Sequence, residues 1–157
     1  MEDFISVRMQ HPDGNFPAPF TPALCHEEKR GIDFQKACVN MFFILITQKQ
    51  YEANQGALGL RDYCDSFVVN EIKLECYHSL GTESAQFMAF DPKIIAMQTC
   101  GEQVNEFSLR CAQGAGLVYG MNYGFAKKQS FFCKLFQTEL ANACLGITKE
   151  EIFTTGQ

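Results

Sequence analysis

Tryptophan is absent from this sequence, histidine occurs only three times, and no run of lysine or arginine is longer than two, as at Lys127–Lys128. Without a basic cluster there is no stripe to track phosphates, so nucleic acid is not an expected partner. No Cys-x-x-Cys is present, which removes the usual half-site of structural zinc and the motif of thiol oxidoreductases. Gly-x-Ser-x-Gly, Gly-x-Gly-x-x-Gly and Gly-Lys-Ser/Thr are missing too, so no nucleophile elbow or phosphate loop can be placed. The strongest apolar run, Val39–Ile46 with Asn40 inside it, falls well short of the roughly 20 residues that span a bilayer. It reads as a buried helix, and no transmembrane segment is expected. The opening residues Met1-Glu2-Asp3 are acidic, and neither a secretory apolar stretch nor an Arg-rich amphipathic one follows. If Met1 is the native start, the chain is expected to reach its compartment without a cleaved leader.

What is present is core-forming material. Of 157 residues 46% are apolar, phenylalanine occurs 15 times, and the net charge is −5 with a pI near 5.2. This length suits one domain or two small lobes. Pro12, Pro17, Pro19 and Pro22 crowd the beginning, and residues 1–24 are expected to form an extended arm ahead of a folded region at 25–157.

The eight cysteines are Cys25, Cys38, Cys64, Cys76, Cys100, Cys111, Cys133 and Cys144, separated by 12, 25, 11, 23, 10, 21 and 10 residues. Short and long gaps alternate, which defines four pairs: Cys25/Cys38, Cys64/Cys76, Cys100/Cys111 and Cys133/Cys144. An acid and an apolar residue precede the second cysteine of each pair at a fixed offset: Asp33-Phe34, Glu71-Ile72, Glu106-Phe107 and Glu139-Leu140. One supersecondary unit is therefore used four times. An apolar residue four before a cysteine is helical spacing, which puts both on one face.

Local signals place the helices. Leu60, Cys64, Val68, Ile72, Cys76 and Leu80 form an i, i+4 stripe that stops at Gly81, and Phe34, Cys38, Phe42 and Leu45 keep helical spacing toward Gly56. Gly31 separates Cys25 from the helix of Cys38. Asp91-Pro92 reads as a cap and first helical position, opening a helix to about Ala112. Ser130 is expected to cap the next helix and Gly146 to stop it. Thr148 with Glu151 resembles a capping box. Gly116, Gly120 and Gly124, with Gly114 nearby, read as a connector between units three and four; the alternative is a small-residue stripe for close helix contact.

If each unit is one continuous helix, cysteines eleven apart stand roughly 16 Å apart along it, too far for a disulfide, which needs Cα atoms within roughly 7 Å. They do return to nearly the same face, so two antiparallel helices can be bridged at both ends. Matching the spacings gives Cys100–Cys144 with Cys111–Cys133, and Cys25–Cys76 with Cys38–Cys64. Pairing unit two with three and one with four is the alternative. The expected fold is all-α, with two crosslinked antiparallel hairpins (about 25–81 and 91–146) made of four main helices. Free buried cysteines are the competing reading, but phased usage at this density fits a disulfide framework better.

No cofactor, metal or catalytic residue is indicated. His11, His26 and His78 match no catalytic pattern, and solvated histidines are the plainer reading. The repeat acids Asp33, Glu71, Glu106 and Glu139 lack the Glu-x-x-His partner of helical di-metal sites and read as a solvated helix edge.

Paired cysteines on helices, as in Cys100-Gly-Glu-Gln-Val-Asn-Glu-Phe-Ser-Leu-Arg-Cys111 and Cys133-Lys-Leu-Phe-Gln-Thr-Glu-Leu-Ala-Asn-Ala-Cys144, resemble the twin Cys-x9-Cys (CHCH) proteins of the mitochondrial intermembrane space. Four pairs in one chain resemble the doubled arrangement of the PGIV-type accessory subunit of complex I. The resemblance spans roughly 25–144. It implies leaderless import, oxidation by a disulfide relay, and a non-catalytic accessory role in a respiratory-chain complex, peripheral to the inner membrane, with other protein subunits as partners. The alternative is a secreted, disulfide-rich helical binding protein.

Overall fold

The chain between the two cysteines of a pair is not one helix. In a computed structural model that describes residues 22–52, 60–87, 99–101 and 103–146, each pair brackets a corner. The first unit has 3-10 turns at Pro22–His26 and Glu28–Arg30, then helix α1 (Ile32–Glu52). The second has α2 (Leu60–Asp65) and α3 (Asn70–Phe87). In the third, Cys100 leads through a turn into α4 (Glu106–Tyr123), and the fourth has α5 (Lys127–Cys133) and α6 (Thr138–Leu145). Among the described residues there is no strand.

The corners follow from local chemistry. Gly31 (φ +84°) closes the second 3-10 turn, and Gly101 (φ +82°) turns the chain after Cys100; both angles favour glycine. Asn105 caps α4 by accepting from the N–H groups of Phe107 and Ser108. The repeat acids Asp33, Glu71, Glu106 and Glu139 each fall in the first turn of the helix that carries the second cysteine of their unit, where negative charge complements the helix dipole. The apolar partners Phe34, Ile72, Phe107 and Leu140 face the core from the same turn.

The corner overturns the expected connectivity. The disulfides are Cys25–Cys38, Cys64–Cys76, Cys100–Cys111 and Cys133–Cys144, with Cα separations of 5.3, 5.4, 5.4 and 5.6 Å. The crosslinks Cys25–Cys76, Cys38–Cys64, Cys100–Cys144 and Cys111–Cys133 are not formed. Those pairings assumed a continuous helix within each unit. A turn after the first cysteine instead folds it back onto its own partner. The fold is all-helical and disulfide-stapled, but each staple closes one small hairpin instead of joining two large ones.

The long helices then stack in chain order, α1 on α3, α3 on α4 and α4 on α6. They run parallel. Lys36 of α1 meets Glu71 of α3 at 3.1 Å, Asn40 donates to Glu75 at 3.0 Å, and Asn70 donates to Glu106 at 3.2 Å, joining N-terminal halves to N-terminal halves. The four units thus form one linear array with a continuous core, which includes all eight cysteines.

Several boundaries differ from expectation. Pro22–Leu24 belong to a 3-10 turn and Leu24 packs on the core, so the end of the 1–24 arm is not extended. Residues 1–21, with His11, lie outside the described residues, as do Gly56, Asp91-Pro92 and the Thr148/Glu151 box. The helix expected to end near Ala112 begins at Glu106 and continues to Tyr123. Ser130 lies inside α5, not at its cap, whereas Gly146 does end α6. Val68 sits in the turn between α2 and α3 and is 92% exposed, and α3 runs straight through Gly81.

Glycine sets the spacing between units. A Cβ on Gly81 would lie 2.0 Å from the Cys111 carbonyl oxygen, and one on Gly114 would lie 2.4 Å from that of His78. A Cβ on Gly116 would lie 2.1 Å from the Cys144 carbonyl oxygen. Gly114 and Gly116 are therefore helix-contact residues within α4, Gly120 makes room for the Phe125 ring in the turn that follows, and the connector reading is corrected; only Gly124 (φ +108°) ends the helix. Gly81 and Gly116 are repeat-equivalent, each five residues beyond the second cysteine of its unit, Cys76 or Cys111. At both positions the glycine hydrogen faces the carbonyl of the next unit's second half-cystine, a weak Cα–H···O contact.

Gly81→Ala should destabilise the oxidised protein by about 2 kcal/mol or more in urea unfolding, because backbone must move. Gly146→Ala, at an exposed helix end, should stay within about 0.5 kcal/mol. Equal effects would contradict the close-packed contact.

Candidate interaction surface

The eight cysteines were the residues expected to matter, and all are buried in disulfides with no free thiol among them. Two buried amides reinforce the clasps. Gln35 donates to the Cys25 carbonyl at 3.1 Å, and Gln129 donates to the carbonyls of Gly116 and Cys144 at 3.1 and 3.3 Å. Gln129 thereby ties α5 to both neighbouring long helices. Asn40, Glu75 and Ser79 form a comparable clasp between α1 and α3, with the Ser79 hydroxyl in hydrogen-bond reach of both Asn40 Oδ1 and the Glu75 carbonyl. These polar residues have no repeating pattern in sequence that would have singled them out.

The fold brings His26 to Ser66, a pair 40 residues apart, with Nε2 and Oγ at 3.3 Å. His26 stacks on Phe67 at 4.1 Å and meets Tyr63 edge-on, and partial burial lowers its pKa. The Ser66 hydroxyl donates to the Tyr63 carbonyl at 2.5 Å, so its hydrogen is directed away from the imidazole. This geometry does not activate a nucleophile; it fastens the first corner to the second. His78 is held below its ordinary pKa by burial and by the Arg110 charge, against the opposing pull of Glu75.

A charged cluster braces the second corner. Asp65 accepts from Tyr77 at 3.0 Å and pairs with Lys73 at 2.8 Å, while Lys73 also lies 4.6 Å over the Phe107 ring of the next unit. The Arg61 guanidinium lies over Gly101, where a Cβ would come within 2.7 Å of it. Burial alone would raise the Asp65 carboxyl. Hydrogen bonds from Lys73 and Tyr77, with the charges of Lys73 and Arg61, outweigh that and hold it below its ordinary value.

The repeat acids are exposed, as a solvated edge requires, and Glu71 and Glu106 each accept a bond from the preceding unit. Among the described residues no group of three or more His, Cys, Asp or Glu stands together to hold a metal, and no helix is long and apolar enough to cross a membrane. Exposed apolar side chains mark the surface instead: Ile32, Val68 and Val104 at the corners, and Met121, Tyr123, Phe131 and Leu145 in the last two units. Comparison with family models, curated proteins and solved structures found no match to this chain.

Because Asp65 has a lower pKa folded than unfolded, its contribution to stability is present above its ordinary value of 3.8 and is lost as pH falls through the folded value. Asp65→Asn should flatten the fall in melting temperature between about pH 5 and pH 2. An acid limb identical to that of the parent would contradict this role.

Proposed function

We propose that the protein is a non-catalytic binding scaffold that works in an oxidising compartment. The observation that carries this reading is the architecture: four disulfide-clasped corners stacked into one array, with hydrogen bonds and an ion pair joining neighbouring units. Stacked helical repeats present long surfaces built of repeated positions, and binding is the use such surfaces suit. Disulfides at this density belong to oxidising compartments.

Two narrower forms follow. An accessory subunit on the intermembrane-space side of a respiratory complex has in its favour the four cysteine pairs of one helical chain. A secreted helical binding protein has in its favour the crosslink topology, because each staple closes its own unit and no two long helices are bridged at both ends. That topology is the more specific observation, and we prefer the secreted form.

Native electrophoresis of extract or secreted fluid from the source organism should show the oxidised chain in an assembly larger than its own 17.7 kDa. The amino-terminal residue of that material separates the forms: a start created by leader cleavage supports secretion, and an intact Met1 supports the intermembrane space. Migration only as a free monomer would contradict the scaffold reading.

A further inference from the structure

The acidic balance of the chain is not evenly spread. None of its 18 acids lies between Glu106 and Glu139, a stretch that contains Lys127, Lys128 and Lys134. Helix α5 and its C-cap residue Lys134 concentrate that basic charge. At 100° per residue, Lys127, Phe131 and Lys134 share one line and Lys128 lies beside it, so Phe131 occupies the middle of a lysine-rimmed face. Gln129, Phe132 and Cys133 occupy the opposite face and are buried, while the three lysines are exposed. The Phe131 ring is 69% exposed.

The lysines have no carboxylate partner among the described residues, where the ion pairs are Arg30–Glu27, Lys36–Glu71 and Lys73–Asp65. Just before α5 the chain adds Met121 and Tyr123, 57% and 41% exposed. An aromatic ring held outward by a helix whose other face is locked in the core costs little to immobilise further.

We propose that this face of α5 docks on an anionic lipid bilayer. The surface has the chemistry of an interfacial anchor: cationic side chains at the depth of the phosphates and an aromatic ring at the boundary of the acyl chains. The face belongs to a single short helix and its ring projects from it, which suits a planar partner better than a peptide that must be enclosed. The charge complementarity is local, in a protein whose net charge of −5 would otherwise repel such a membrane. The inference adds to the scaffold reading and does not depend on it.

The test is co-sedimentation of the full oxidised chain with vesicles of phosphatidylcholine containing about 30% phosphatidylserine, against phosphatidylcholine alone. Binding is expected only to the anionic vesicles at about 50 mM salt, and should vanish at about 500 mM. Lys128→Gln should weaken it about fivefold and Phe131→Ala about tenfold, whereas Lys29→Gln, in the first unit, should leave it unchanged. Far-UV circular dichroism and a thiol count confirm that the variants remain folded and oxidised. Absence of anionic-vesicle binding, or binding that survives both α5 variants, would overturn the proposal. Binding that depends on α5 but goes to polyglutamate and not to vesicles would also overturn it, in favour of an acidic protein partner.

Discussion

A disulfide that closes each corner on itself is the constraint on which the other contacts rest. Between its two cysteines every unit must reverse direction, and the leading elements described, Pro22–His26, Leu60–Asp65 and Lys127–Cys133, are each no longer than seven residues. Closing a loop of 11 to 13 residues is worth about 3 kcal/mol in the chain-entropy model, which offsets part of the entropy cost of the reversal. Fixing the corner also fixes the second half-cystine, the residue whose carbonyl the previous unit meets.

From that point the array propagates by contact. Gly81 seats against the Cys111 carbonyl and Gly116 against that of Cys144, so the same backbone position in one unit locates the clasp of the next. Between the first and second units the equivalent position is Phe43, fully buried. There the helices are joined by side chains, through Asn40, Glu75, Ser79 and the Lys36–Glu71 pair. One repeat therefore uses two kinds of joint, a tight glycine joint in the middle and at the end of the array and a side-chain joint at its start. The last unit then turns a lysine-rimmed aromatic outward, where no further unit follows among the described residues.

Much of this was legible in the sequence, and the failure has one source. The alternating cysteine gaps and the acid–apolar offset give the four units, the helical class, the disulfide framework and the placement of Phe34, Ile72, Phe107 and Leu140. A unit that is one continuous helix excludes within-unit pairing, and the difference in connectivity follows from the corner that interrupts it. Gly31 flagged a break in the first unit, but the second breaks at Ser66–Val69 within an unbroken i, i+4 stripe. Spacing alone cannot tell one helix from two that meet at a corner. The glycines of α4 look like a connector in sequence because glycine marks turns more often than contacts. Their role depends on how closely another unit's backbone approaches, which is a tertiary fact. The Ser66–His26 pair and the Asp65 cluster join residues that only the corner brings together. The lysines of α5 were visible only as a short basic pair, because their common face required the helix boundaries.

The clasp topology is also the claim most directly open to measurement. Non-reducing proteolysis of the native oxidised protein, followed by mass spectrometry, should yield Cys25–Cys38, Cys64–Cys76, Cys100–Cys111 and Cys133–Cys144 as the four linked pairs. Recovery of crosslinks between units, such as Cys100–Cys144 with Cys111–Cys133, would contradict the account at its base.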